Sequence, residues 1–302
     1  MAKKHPVIVI GGTNIDIIAT ATTAVKMYDS TLGNVRQSHG GVGRNVVENL
    51  ARLGVPVTFI TVIGEDAAGR ATRDTLSSLG VQVMGPTSPL SSSYVALHQD
   101  NGDMMLAIND MHAMNRLTPE ALAKHTEAIQ RALVVVLDAN VPVEGVKHIT
   151  KLTKRTIIDA VSTAKVTRLK ALLNRIDTIK LNHHEAAALV GHDVDDVDAA
   201  LHAAMTLIKQ GLSRVYLTMG ASGVVIATPD GAHHHLAPPV TQAKANGAGD
   251  AFTAGIAYGR YHDMDELPIA LEMARLTLRV DEAVYTQIKD DVDAWVKKKR
   301  AV

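Results

Sequence analysis

The segment Asn246-Gly247-Ala248-Gly249-Asp250-Ala251-Phe252 is the part of the chain best suited to chemistry. Two glycines around an alanine, just ahead of an amphipathic run from Ala251 to Tyr261, leave backbone N–H groups uncovered at a helix N-terminus. Such a terminus attracts phosphate through hydrogen bonds and the positive end of the helix dipole. Asp250, in the same turn, is placed to accept a proton from a hydroxyl attacking that phosphate. Taken alone, the residues equally describe a glycine-rich turn whose aspartate caps a helix. Near the other end of the chain, Gly40-Gly41-Val42-Gly43-Arg44-Asn45 precedes a second helical pattern. Its doubled glycine lets backbone approach a ligand, and Asn45 offers a donor and an acceptor to sugar hydroxyls.

Further candidates sit where short apolar runs end. Gly11-Gly12-Thr13-Asn14-Ile15-Asp16 follows the first such run, and Lys180-Leu181-Asn182-His183-His184-Glu185 spans a strand-to-helix junction, the rim at which open α/β sheets bind ligands. Asn182 followed three residues later by Glu185 also fits a capping box. Gly220 and Gly223 punctuate the turn Thr218 to Gly223, while Asp159, Ser162 and Lys180 are weaker candidates for a phosphate or metal shell. His183-His184 and His233-His234-His235 do not form a metal set, because adjacent side chains diverge on helices and alternate on strands.

These residues need a frame, and the chain's rhythm supplies one. Short apolar runs bounded by glycine (Val7–Ile10, Val57–Val62, Leu133–Leu137, Thr156–Asp159, Thr178–Leu181, Arg214–Thr218, Val224–Ala227) alternate with helical patterns such as Gly43–Leu53 and Asp66–Leu79, the latter capped by Asp66. That alternation predicts a mostly parallel sheet with crossover helices, closed by three helices after Gly247. Ser92–Gln99 and Asp103–Ile108 flank Asp100-Asn101-Gly102, a hairpin turn. With the polar stretch 14–38, this hairpin is expected to form a small β lid.

With 302 residues, 46% hydrophobic and 21% charged, the chain is globular and long enough for one large α/β domain. Lys plus Arg and Asp plus Glu each number 31, so the basic excess that nucleic acid or an acidic membrane would need is missing. A small diffusible substrate fits this balance. There is no cysteine, which excludes disulfide and thiolate chemistry. The first apolar run is too short for a signal peptide or a span of about 20 residues, so the cytoplasm is the expected location.

The Gly247-Ala248-Gly249-Asp250 segment resembles the C-terminal signature of the ribokinase-like (PfkB) family of carbohydrate and nucleoside kinases, with Asn246 where that family usually has threonine. Gly40 to Asn45 and Gly11 to Asp16 are similar to its N-terminal signatures. The likeness runs from Gly11 to the final helices. It implies a three-layer α/β/α sandwich as one domain over 1–302, with a β lid from about 13–38 and 91–110. It further implies ATP and Mg²⁺ as cofactors, with K⁺ a candidate activator, Asp250 as catalytic base, and the Gly247, Ala248 and Gly249 amides as an anion hole. Asn14, Asp16, Gly40, Gly41 and Asn45 would hold the sugar. Asn182, Gly220, Gly223, Asn246, Gly247 and Gly249 would contact the nucleotide, and Glu185 would hold Mg²⁺ through water. A homodimer through the lid is a further expectation.

Within the family the similarity is to the bacterial pseudouridine kinases. Ser92-Ser93-Tyr94 and Met105-Leu106-Ala107-Ile108-Asn109-Asp110-Met111 carry it, with Asp159-Ala160-Val161-Ser162 and Tyr285-Thr286 in support. A C-linked uracil has an N1–H that uridine lacks, and Asn109 or Asp110 is the expected acceptor. The alternatives are a kinase for ribose, uridine or adenosine, or a nucleoside-binding sensor. The bulky, charged stretch Arg275–Glu282, where family members carry small residues near the adenine, and Asn246 favour the sensor.

Overall fold

Val7–Ile10 (β1) consists entirely of β-branched residues, and all four are fully buried in the computed structural model, which describes residues 5–240 and 247–300, the side chain of Arg300 excepted. After β1 come β2 (Asn14–Ala21), β3 (Gly33–Gly40), α1 (Val42–Arg52), β4 (Val57–Ile60), β5 (Ile63–Gly64) and α2 (Ala67–Ser78). Next are β6 (Gln82–Met84), β7 (Thr87–Ser88), β8 (Ser93–His98) and β9 (Met104–Asp110). Two short helices, α3 (Pro119–Ala123) and α4 (Thr126–Arg131), lead to β10 (Val134–Asp138), α5 (Val143–Leu152), β11 (Thr156–Asp159) and α6 (Thr163–Val166). The chain continues through β12 (Thr178–Asn182), α7 (His183–Val190), α8 (Val197–Lys209), β13 (Arg214–Thr218), β14 (Val224–Thr228) and β15 (Gly231–His235). Helices α9 (Ala248–His262), α10 (Glu266–Thr277) and α11 (Ile288–Arg300) close it.

The main sheet has nine strands in the order β15-β14-β13-β12-β11-β10-β1-β4-β6, parallel from β13 to β6. Its central strands are apolar on both faces because helices cover both. Ile8 and Ile10 of β1, with Val135 and Leu137 of β10, pack under α5, α7 and α8. Val7, Val9, Val134 and Val136 face the opposite way, under α1, α2, α9 and α10. This is the expected three-layer sandwich. The chain runs outward from β1 to β4 and β6, then returns to β10 on the other side of β1, so the crevice between the carboxyl ends of β1 and β10 is a topological switch point.

The polar stretch 14–38 does form strands. A separate four-stranded sheet runs β3-β2-β8-β9, with β2 antiparallel to β3, parallel to β8, and β8 antiparallel to β9. Asp66 anchors it to the body. Its carboxylate caps α2 through Gly69 N at 2.8 Å and also accepts from Ser91 N at 2.8 Å and Ser91 Oγ at 2.7 Å, just before β8. The main differences from expectation lie at the margins. The strand in the Val57–Val62 run ends at Ile60, with the short β5 starting only beyond it at Ile63, and His233–His235 belongs to an antiparallel edge strand paired with β14. No helix among the described residues is long and apolar enough to cross a membrane.

Candidate active site

Two loops leave the switch point side by side and are tied by one carboxylate. Asp138, at the end of β10, is buried. It accepts hydrogen bonds from Gly12 N at 2.7 Å, Gly43 N at 2.8 Å and Asn140 N at 2.8 Å. Burial pushes its carboxyl above the usual range, against the hydrogen bonds from Gly12 and Asn140 and the charge of Lys165. The backbone at Gly12 and at Gly43 is therefore fixed to one carboxylate before any ligand arrives. Asn14 Nδ2 donates to Asp16 Oδ1 at 2.6 Å. Burial raises the Asp16 carboxyl, while Asn14 and the charge of Arg44 pull it down. Gly40 pairs with Asn14 across the first rung of the small sheet, and Gly41 turns the chain into α1 with φ of 100°.

The start of α9 approaches the same crevice. Gly247 adopts φ of 78°, and a β-carbon there would overlap the Ala283 carbonyl oxygen, so only glycine fits. Asp250 lies in the first turn of α9 and accepts from Asn45 Nδ2 at 2.6 Å. The sequence left open whether Asp250 caps the helix; the N-cap is Gly247, without a side-chain cap bond. Burial, reinforced by the negative charge of Asp159, pushes the Asp250 carboxyl up to about 7, against the pull of Asn45 and Lys180. Lys180 lies beneath this turn: a β-carbon on Gly249 would stand 2.7 Å from Nζ. Its ammonium pairs with Asp159 at 3.2 Å, and Asp159 also accepts from Thr253 Oγ1 at 2.6 Å. Burial alone would lower the Lys180 pKa, but Asp159, Asp250 and Glu185 together hold it above the usual value.

Asn182 and Glu185 form the capping box that their spacing suggested. Asn182 Oδ1 accepts from Glu185 N at 2.9 Å, and Glu185 Oε2 accepts from Asn182 N at 2.8 Å. Glu185 is buried, and burial together with the charge of Asp159 raises its carboxyl. A buried Glu185 carboxyl raised in part by the charge of Asp159 suits a nearby cation. No group of three or more metal-ligating side chains occurs among the described residues. The donor set thus fits an ion held by one or two carboxylates, water and substrate phosphates, the usual manner for Mg²⁺. Asn182 is paired with Thr218 across β12 and β13, which brings the Gly220–Gly223 turn to the same edge of the sheet. Asn246 lies outside the described residues. Arg275, in the charged stretch near the C-terminus, is bound to Glu272 of its own helix at 2.8 Å.

Register sorts the small-sheet candidates. Ser38, Asp16, Tyr94 and Asn109 stand opposite one another across the four strands and so share one face. Asp110, one residue on, faces the other way, and its exposed carboxylate accepts from His112 N at 3.1 Å and His112 Nδ1 at 2.9 Å. Asn109, not Asp110, is thereby on the face of Asp16. Three residues beside the site carry no sequence signal of their own: Asp138 ends an apolar strand with no motif around it, Arg44 sits inside a glycine loop, and Tyr94 lies within a hairpin strand.

Comparisons with known proteins agree with this geometry. The sequence profile of the pfkB family carbohydrate kinases matches residues 4–276. Pseudouridine kinase of Escherichia coli (strain K12) is 35% identical over 85% of this chain and 84% of its own length. The uncharacterized sugar kinase YeiI of the same organism is 31% identical over 85% and 73%. Among solved structures, a carbohydrate kinase from Agrobacterium tumefaciens superimposes with TM-score 0.82 at 29% identity, covering 98% of this chain and 97% of that one. Arabidopsis thaliana ribokinase complexed with ribose and ATP shares the fold, with TM-score 0.82 at 21% identity over 96% and 99%. With its sandwich, its switch-point loops and its glycine-led helix in place, the chain belongs to the pfkB family of carbohydrate kinases.

Proposed function

We propose that this chain transfers the γ-phosphoryl group of ATP to the 5′-hydroxyl of pseudouridine, with Asp250 accepting the hydroxyl proton. The observation that carries this reading is a carboxyl at the first turn of α9, pushed up to about 7 and held by Asn45. A base whose pKa lies near the working pH combines ionisation with useful proton affinity. The Gly247, Ala248 and Gly249 amides and the nearby Lys180 ammonium stabilise charge on the transferring group. Asn14, Asp16, Gly40, Gly41 and Asn45 hold the sugar so that its hydroxyl faces the phosphorus. Asn182, Gly220 and Gly223 line the nucleotide side, and Glu185 holds Mg²⁺ through water. Bound Mg²⁺ neutralises charge on the ATP phosphates.

On the small sheet, Tyr94 offers an aromatic surface to the nucleobase, and Asn109 accepts the N1–H of a C-linked uracil. A site that must satisfy such a donor discriminates against the analogue lacking it. The similarity to a pseudouridine kinase supports the same choice. Side-by-side assays of pseudouridine, uridine, ribose and adenosine test it. Pseudouridine should lead uridine in kcat/KM by at least about 100-fold, and Asn109→Leu should erase most of that margin. Equal rates for the two nucleosides would refute the nucleobase assignment.

The partner we propose for the outer face of the small sheet is a second copy of the chain. Val35, Ala19, Leu97 and Leu106 form one cross-strand row there, and Ile17, Val95 and Ile108 belong to the next. Leu106 is 48% and Ile108 64% exposed, an apolar surface of the kind that marks an association site.

A further inference from the structure

We propose that Arg44 is a positioning residue: its guanidinium fixes the amide of Asn45 with the nitrogen toward Asp250, and Glu48 holds the guanidinium in that pose. The inference rests on Asp250 being the base. A carboxamide's oxygen and nitrogen ends have nearly the same shape, so packing alone does not choose between its two orientations. With the oxygen toward Asp250, Asn45 would repel the carboxylate. Arg44 settles the choice, since a guanidinium only donates. It donates to Asn45 Oδ1, which leaves Asn45 Nδ2 to donate to Asp250 at 2.6 Å.

The support behind Arg44 runs along one face of α1. Arg44 pairs with Glu48 one turn on, and the other oxygen of Glu48 accepts from Arg52 Nε at 2.9 Å and a terminal Arg52 nitrogen at 2.7 Å. The spacing of four between each pair places all three on the same helix face. Arg44 is 7% and Glu48 6% exposed, so both charges are almost wholly removed from water. A buried ion pair is weak as a stabilising device, but it is a rigid one. Arg44 Nε has no partner among the described residues, so the guanidinium spends its bonds on Asn45 and Glu48.

The charges around this chain are Glu48, Asp250, Asp16 and Arg52 about Arg44, with His39 nearby. Around Asp250 they are Asp159, Lys180 and Asp138. Losing the oriented Asn45 donor and the Arg44 charge leaves Asp250 with fewer groups favouring its ionised form. The acid limb of kcat/KM should then move to higher pH. A merely structural arginine would leave that limb in place.

The test measures kcat/KM for the nucleoside against pH, with KM for ATP, in Arg44→Met, Arg44→Lys and the double variant Arg44→Met/Glu48→Met. Asp250→Asn is run beside them. Arg44→Met should lower kcat/KM roughly 10- to 100-fold at neutral pH, the scale of one hydrogen bond to a charged group. Its acid limb should rise by roughly half to one pH unit, with KM for ATP unchanged. Lysine, which cannot serve Asn45 and Glu48 with a planar fork, should restore only part of the loss. The double variant removes both charges and so leaves no unpaired carboxylate if the single variant misfolds. A folded single or double variant with wild-type kcat/KM and an unmoved acid limb refutes the positioning role, while an inactive Asp250→Asn shows that the base assignment stands. An active Asp250→Asn would instead remove the base assignment and this inference with it.

Discussion

Asp250→Asn keeps the shape of the side chain and an oxygen to accept from Asn45 Nδ2, but it removes both the ionisable group and its burial cost. The carboxyl is pushed up to about 7 from an ordinary 3.8. At about 1.4 kcal/mol per unit, a shift of about three units sets a ceiling of about 4 kcal/mol against folding once the group is ionised. The side chain is only half-buried, and contact with water reduces this to about 1–2 kcal/mol. The sign follows from a raised folded-state pKa in an acid. The cost is absent below the unfolded value, grows as pH climbs from about 4 to 7, and is complete above 7. Unfolding entropy of about 2.1 cal/mol/K per residue over 302 residues converts 1–2 kcal/mol into roughly 2–3 °C. The asparagine variant should therefore melt higher than wild type at pH 8, with the gap well under half as large at pH 5. Its turnover, followed by ADP release at saturating MgATP, should fall at least about 100-fold, the scale of a lost general base. Wild-type kcat/KM should rise through pH about 7 as Asp250 ionises. Turnover within tenfold of wild type, or a lower melting temperature at pH 8, would refute the reasoning; the second result would make the carboxylate a structural support.

Other perturbations address the remaining parts of the site. Lys180→Met leaves the Asp159 carboxylate buried without its ammonium, and urea unfolding at pH 7 should show a loss of about 3–5 kcal/mol; adding Asp159→Asn should recover much of it. Asp138→Asn turns an amide N–H toward backbone N–H groups that now meet oxygen, for about 1–3 kcal/mol of stability. Its kinetic signature should be a raised KM for the nucleoside, with KM for ATP little changed. Ile108→Lys on the outer face of the small sheet should yield a monomer in sedimentation, while unchanged mass beside wild type would place any association elsewhere.

The parallel sheet was legible because its strands are buried on both faces and read as continuous β-branched runs, as in Val7–Ile10 and Val134–Val136. The glycine turns were legible for a related reason. Glycines that must approach other backbone and the helix start at Ala248 leave local signatures. The small sheet was harder. In β3 almost every residue is exposed, so alternation between a buried and a wet face, the usual sign of a strand, is missing. Asp110 and Asn109 could not be separated before the register was known, since a step of one residue reverses the face. Asp138 and Arg44 lay beyond reach for a different reason. Their roles consist of contacts 95 and 126 residues away for Asp138, and of a bond between adjacent side chains for Arg44, and no spacing rule records either.

Gly40 and Gly41 lie where the small sheet runs into α1, and the residues proposed to hold the sugar straddle that junction. Asp16 belongs to the small sheet, whereas Asn45 and Asp250 are bound to each other on α1 and α9. Any tilt of the small sheet is then also a change in where a bound sugar sits relative to the base, so closing the cleft and aiming the hydroxyl are one mechanical coordinate. On the proposed reading, Asp250 without a nucleoside would face only water that no partner holds in line, so the geometry itself would guard ATP against hydrolysis.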